Sequence, residues 1–198
     1  MNNWFGQITL DGEKVSLSPL NTTHREALME AAADGKLWEL WFTSVPSEEG
    51  VDNYILSALK AWENNKAHPF VVKDKQSGKV IGSTRYCNAD PDNRRLEIGF
   101  TWYAQSYQRT GVNTECKYLL LKYAFEALDC IAVEFKTNWH NHRSKTAIQR
   151  LGAKQDGILR NHRINADGSL RDTVIYSITR EEWVNVKKSL EYEMKKYH

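Results

Sequence analysis

The chain has 198 residues, 27 Lys plus Arg against 25 Asp plus Glu, and a net charge of +2; that is long enough for one sizeable core and too evenly charged for a nucleic-acid or anionic-membrane binder. A 41 % hydrophobic and 26 % charged composition is that of an ordinary globular protein, so residues 1–198 are read as one domain without linker, repeat or low-complexity tract. Cys87, Cys116 and Cys130 form no C-x-x-C, which argues against a zinc knuckle or redox pair and for reduced thiols in a cytoplasmic protein, while no signal pattern and no membrane-length apolar run is found.

In chain order, KVSLSPL (14–20) alternates and predicts a first strand. NTTHREALMEAAADGKLW reads as a helix, with Asn21, Thr22 or Thr23 as cap and Gly35 as stop. The aromatic connection LWELWFTSVP leads to a second helix, with Val51, Ile55, Leu59 and Trp62 on one stripe. HPFVVKDKQSGKVIGSTRYC predicts two strands around a turn at Ser77 and Gly78, and RRLEIGFTWYA a further strand over 95–103. YQRTGVNTECKYLL passes from polar residues through Gly111 into a helix over 112–128. IAVEFKTN alternates, with Ile131, Val133 and Phe135 on one face and Ala132, Glu134 and Lys136 on the other. NHRSKTAIQRLGA predicts a short helix capped by Asn141 and ended by Gly152. Strands near 157–164 and 170–178 flank NADGS, whose Asp167-Gly168 is a hairpin signal. Thr179 and Glu182 offer a capping box for a last helix with the stripe Trp183, Val186, Leu190 and Met194; docking on the domain is expected of that stripe ahead of a dimer contact. Hairpins mixed with helices predict an α/β (α+β) fold around a mixed sheet.

The glycine loop before the 112–128 helix is the first candidate site. The leading N–H groups of a helix have no partner within it and attract an anion. The loop is not a nucleotide loop, since neither G-x-x-x-x-G-K-[ST] nor G-x-G-x-x-G occurs in the chain. Taken alone, it reads equally well as a polar loop that merely caps a helix.

The element order and three motifs resemble the GCN5-related N-acetyltransferases (GNAT) over nearly the whole chain. QRTGVN matches the [QR]-x-x-G-x-[GA] loop at Gln108 and Gly111, with Asn113 where glycine or alanine is usual. Glu97-Ile98-Gly99 before the loop, Thr114-Glu115 after it, and Asn141, Ser144, Leu151 and Gly152 further on resemble the branch of ribosomal-protein N-terminal acetyltransferases (RimJ/RimL-type). The resemblance implies a sheet of about seven mostly antiparallel strands flanked by helices, and acetyl-CoA as co-substrate without a metal. It also implies that Gln108, Arg109, Thr110, Gly111, Val112 and Asn113 hold the pyrophosphate. The physical logic agrees: successive amides and the helix dipole suit two bridged phosphates, and Gly111 lets the backbone approach closely.

The chemistry asks for a proton acceptor, because only a neutral amine attacks a thioester. An α-amino group, with a reference pKa of about 7.7–8.0, needs less help than a lysine near 10.4. Glu97 is the candidate base; the alternative is a solvent-facing carboxylate paired with Arg94 or Arg95. By resemblance, backbone N–H groups near Phe100, Thr101 and Trp102 serve the thioester oxygen and pantetheine arm. Ser144 or a tyrosine would protonate the leaving thiolate, and Asn141 would hold a pantetheine amide as well as cap its helix. Trp38, Trp41 and Phe42 are candidates for an acceptor wall, with core packing favoured for at least one tryptophan. The histidines of WHNH are two apart with no carboxylate or cysteine cluster in the sequence around them, and are read as loop histidines. Cys116 is read as packing.

The expected function is transfer of an acetyl group to a primary amine, either a protein N-terminus or a small molecule, in a ternary complex. The expected protein is a monomer or homodimer that binds neither nucleic acid nor membrane. A non-catalytic acyl-CoA-binding or interaction module is the alternative from another class, separable by thiol release from acetyl-CoA.

Overall fold

The computed structural model of the protein describes residues 4–6, 8–165 and 167–196. In chain order the elements are β1 (Leu10–Asp11), β2 (Val15–Pro19), α1 (Arg25–Ala33), α2 (Val51–Glu63), β3 (His68–Asp74), β4 (Val80–Asp90), β5 (Arg95–Tyr103), α3 (Val112–Glu126), β6 (Ala132–Asn138), α4 (His142–Arg150), β7 (Lys154–Ile164), β8 (Leu170–Thr179) and α5 (Arg180–Lys195). All seven expected strands and five expected helices are present. The eighth strand, β1, is two residues long and too short to leave a periodicity in the sequence. The sheet order is β1-β2-β3-β4-β5-β6-β8-β7, antiparallel throughout except for β5 against β6.

Local chemistry explains most boundaries. Gly78 takes φ 71° and donates its N–H to Asp74 O, closing the β3–β4 turn. Gly168, at φ 82°, closes the β7–β8 hairpin by donating to Asn165 O. The Asn141 side chain caps α4 by accepting from Ser144 N at 3.0 Å, and Glu182 Oε2 accepts from Thr179 N at 2.9 Å to start α5. Two expectations shift. β7 begins at Lys154, because Lys154 and Gln155 already pair with Ser177 and Tyr176. Ile131 stands outside β6 and is exposed, its N–H donating to Arg94 O, so the inward face of β6 is Val133, Phe135 and Thr137.

The helices cover the two faces of the sheet. On one, α3, α4 and α5 bury Leu96, Ile98, Val133, Phe135 and Tyr176. There Trp183 of α5 stacks on Phe125 of α3 with ring centroids 5.2 Å apart, so the C-terminal stripe docks on the domain as expected. On the other, α1 and α2 pack against Val71 and Trp102 through Leu28, Val51 and Ile55. No helix among the described residues is long and apolar enough to cross a membrane.

Glu115 ties the first hairpin to α3. Its carboxylate accepts from the backbone N–H groups of Glu13, Lys14 and Val15 at 2.6, 3.0 and 3.0 Å. Gly12 makes the grip possible, since a Cβ there would lie 2.6 Å from the carboxylate carbon. The Thr-Glu of the loop motif is therefore, at its glutamate, a structural clamp.

Candidate functional site

The site is built where β5 and β6 part. They pair in parallel only at Arg95, Leu96 and Glu97 against Ala132, Val133 and Glu134. Beyond Glu97 the pairing stops, although both strands run on, β5 to Tyr103 and β6 to Asn138. Backbone groups of β5 that would have faced β6 are left for another partner. Both strands point their carboxyl ends at the same edge of the sheet, where loop 108–113 and the start of α4 follow.

A bulge in β5 changes which way its side chains point. Arg85 of β4 pairs with Gly99, but Ser83 pairs with Trp102, so β5 carries one extra residue. Phe100 absorbs it with φ 51°, a left-handed conformation that costs a bulky residue strain. Before the bulge, Leu96 and Ile98 face α3; after it, Thr101 and Tyr103 do, and Trp102 faces α1 and α2. Glu97 consequently lies on the α1/α2 face.

Glu97 is 7 % exposed and held from two sides. Its Oε2 accepts from Asn88 Nδ2 at 2.7 Å and from Lys136 Nζ at 3.0 Å. Lys136 also bridges to Glu134 at 3.1 Å, and Glu134 to Arg95 at 2.5 Å. Burial pulls the Lys136 pKa down, but Glu97 and Glu134 outweigh it and hold it above the ordinary lysine value. Neither expected alternative partner is used: Arg94 pairs with Asp129 and Arg95 with Glu134. The Oε1 of Glu97 lies over Gly99, where a Cβ would approach it to 3.1 Å.

The loop residues Gln108, Arg109 and Thr110 are exposed. Gln108 anchors the loop by donating Nε2 to Tyr103 O at 3.0 Å, and Thr110 Oγ1 donates to Tyr107 O at 2.6 Å. Arg109 and Gly111 take left-handed φ of 64° and 89°, which turns the chain sharply into α3. The first helical N–H bond is Glu115 to Gly111, so the amides of Val112, Asn113 and Thr114 lead the helix. Val112 itself is buried in the core, while Asn113 is half-buried at the helix start.

The start of α4 flanks the same edge from the β6 side. Asn141 has its Oδ1 committed to the cap, and Ser144 is half-buried in the first turn. Trp41 is 60 % exposed and sits 5.8 Å from the His140 ring, bringing the α1–α2 connection against the β6–α4 joint. Phe42 packs edge-on to Trp41 at 5.5 Å. Trp38 instead packs against the α1/α2 core.

Two groups at the site have no counterpart in the sequence reading. Lys117 of α3 is 5 % exposed, and its Nζ donates to Thr101 Oγ1 at 2.5 Å beneath the gap. Burial pushes its pKa down to about 8. The only hint was a lysine next to Cys116 and one turn before Leu120 and Leu121, on the inner side of a helix. Arg85 of β4 lies over the rings of Tyr54 and Phe100, 4.8 and 3.9 Å from their centroids. Its neighbours come from α2 and a bulge, and no local pattern announces them.

The described residues also line surface cavities. One of about 760 Å³ is lined by Glu26, Glu30, Glu48 and Glu49 with Trp38, an acidic surface that no run in the sequence foretells. Arg25 pairs with Glu26 and Glu48 there, and Lys79 with Glu30, so two cations face four glutamates. Another, of about 480 Å³, opens at the amino ends of β5 and β6 beside Asn88 and Glu134.

The relatives of this chain share that architecture. The family model of the acetyltransferase (GNAT) domain matches residues 14–154. YdaF of Bacillus subtilis (strain 168), named provisionally as a ribosomal N-acetyltransferase, is 28 % identical over 150 residues, 75 % of this chain and 80 % of that one. A GCN5-related N-acetyltransferase from Brucella melitensis superposes with a TM-score of 0.83 at 28 % identity, over 95 % of this chain and 86 % of that one. RimJ of Mycobacterium smegmatis, solved in complex with CoA-disulfide, has the same fold, with a TM-score of 0.79 at 20 % identity over 95 % of each chain. With a parted β5–β6 pair, a glycine-led α3 and a family match over most of its length, the chain belongs to the GNAT acetyltransferases.

Proposed function

We propose that the protein transfers the acetyl group of acetyl-CoA to a primary amine, with a protein N-terminus as the acceptor class its relatives favour. The observation that carries this reading is the end of the β5–β6 ladder at Glu97 and Glu134, on the strand that leads on to the amides that open α3. A pantetheine arm carries amides of its own and suits the unpaired edge of β5 as a strand-like guest. The diphosphate suits the amides of loop 108–113 and the positive end of α3. The RimJ neighbour was solved with a CoA derivative, in line with this fit.

In this scheme the residues divide the work. Glu97 Oε1 takes the proton that the amine sheds on attack, while Oε2 stays fixed by Asn88 and Lys136. Backbone N–H groups of the bulge around Phe100, Thr101 and Trp102 donate to the thioester oxygen as charge develops there. Ser144 protonates the leaving thiolate. Tyr107, Tyr118 and Tyr123 already donate to Asp74, Glu191 and Phe5 O, which favours the serine over these tyrosines. Trp41 and Phe42 flank the amine's entry.

The test is a thermal-shift titration with acetyl-CoA, followed by thiol release with N-terminal peptides and small amines. Stabilisation by acetyl-CoA and amine-dependent release are expected. Absence of any shift with CoA esters overturns the reading.

A further inference from the structure

Arg85 is 5 % exposed, and its Nε and Nη2 are buried with no hydrogen-bond partner. No carboxylate forms an ion pair with it among the described residues. The rings of Tyr54 and Phe100 attract the cation, but neither offers an acceptor to its in-plane N–H groups. A buried guanidinium without an anion is costly to keep, so its presence points to an anion that arrives from outside.

The position says which anion. Arg85 pairs with Gly99 and Cys87 with Glu97 across the β4–β5 ladder, so Arg85 and Glu97 are diagonal neighbours on one face. Gly99 lies between them, and a Cβ there would come within 3.1 Å of both Glu97 Oε1 and Cys87 Sγ, so only glycine leaves this position clear. Glu97 cannot itself neutralise Arg85 through Oε2, which Asn88 and Lys136 hold. The diphosphate is excluded as well, because loop 108–113 follows the far end of β5, past Tyr103. A second buried guanidine nitrogen without an acceptor, Arg171 Nε on β8, belongs to the same face, since Thr173 and Ile175 of that strand pair with Asn138 and Lys136.

We propose that the acceptor is a primary amine carrying a carboxylate, which Arg85 receives above Gly99 while the amine is presented to Glu97 Oε1. This deepens the acetyl-transfer reading and rests on it. Two sources share the chemistry: the α-carboxylate of a free amino acid, and an acidic side chain beside a peptide N-terminus.

Thiol release from acetyl-CoA would be followed with matched acceptors. One arm compares aspartate and glutamate with their α-carboxamides; the other compares C-terminally amidated peptides carrying Asp or Asn at the second position. The expected result is a preference of at least about tenfold in kcat/KM for the acid in one arm, carried by KM. Arg85→Met is expected to reduce that ratio to about one, and Arg85→Lys to restore part of it. Retained stabilisation by acetyl-CoA in Arg85→Met shows that the variant is folded. Equal use of acid and amide by the unmodified protein, or a preference that survives Arg85→Met, overturns the carboxylate inference and leaves acetyl transfer standing. Absence of any acetyl-CoA shift overturns both.

Discussion

The Glu97 network and Lys117, on opposite faces of β5, treat buried charge in opposite ways. On the α1/α2 face, Glu97 and Lys136 are linked at 3.0 Å and extended through Glu134 to Arg95, so each charge of that network has a counter-charge, whereas Arg85 beside it has none among the described residues. On the α3 face, Lys117 has a hydroxyl, Thr101 Oγ1, as its hydrogen-bond partner, and desolvation lowers its pKa to about 8. The linked network keeps Glu97 an oriented hydrogen-bond acceptor. The isolated lysine costs stability at neutral pH, because folding must either bury its charge or remove its proton. Charge that is compensated can serve chemistry without destabilising the fold; charge that is not marks a place where stability was given up.

Four substitutions test this contrast. The largest effect is expected from Glu97→Gln, which keeps the shape and the Asn88 contact but removes the proposed base. Turnover at saturating acetyl-CoA should fall by about 10²- to 10⁴-fold, most steeply at low pH, where fewer amines are already neutral. Binding of acetyl-CoA, read by thermal shift, should persist. Unchanged turnover across pH would remove Glu97 from the mechanism.

Next is Glu115→Ala on the α3 face. It takes the acceptor from the N–H groups of Glu13, Lys14 and Val15, and denaturant unfolding should show a loss of about 3 kcal/mol. A loss within error would mean that water replaces the carboxylate and that the clamp is dispensable.

Lys117→Met should act in the other direction. Thr101 Oγ1 keeps Thr84 as a partner at 2.7 Å, so no polar group is stranded. A gain of about 1–3 kcal/mol is expected at pH 7. The folded value of about 8 lies below the ordinary 10.5, so the unfolded chain holds the extra proton between those values. The penalty is full below pH 8 and is relieved as pH rises towards 10.5. The advantage of the Met variant should shrink over that window; an advantage independent of pH would show that packing, not charge, is responsible.

Ser144→Ala should have the smallest effect, a decrease in kcat of about tenfold or less, since general acid catalysis contributes only part of a thiolate's departure. A rise in the KM for acetyl-CoA with kcat intact would confine Ser144 to binding.

Much of the site's frame was legible because it is local. Gly111, the Asn141 cap, Gly152 and Asp167-Gly168 act within a few residues of where they stand, and each marks an element end. The alternation of IAVEFKTN already put Glu134 and Lys136 together on one face. The partner of Glu97 was not legible. Arg94 and Arg95 are its neighbours in the chain, but the parallel register sets Glu97 against Glu134 and within reach of Lys136. The bulge at Phe100 defeats a strict alternation across LEIGFTWY, because one extra residue moves every later side chain to the other face. Glu115 and its three amide partners are about a hundred residues apart. The acidic cavity likewise gathers residues from α1 and the connection after it.

Periodicity and backbone preference act over a few residues, so the order of strands and helices, the caps and turns that end them, and the glycine-led start of α3 could be read along the chain alone. It takes the folded sheet to part β5 and β6 after three pairs, to hold Glu97 by Asn88 and Lys136, and to set Arg85 beside it without an acceptor. Those outcomes depend on strand register and on a single bulge, and register is settled by burying whole faces at once, a property of the packed sheet that no short stretch of chain carries.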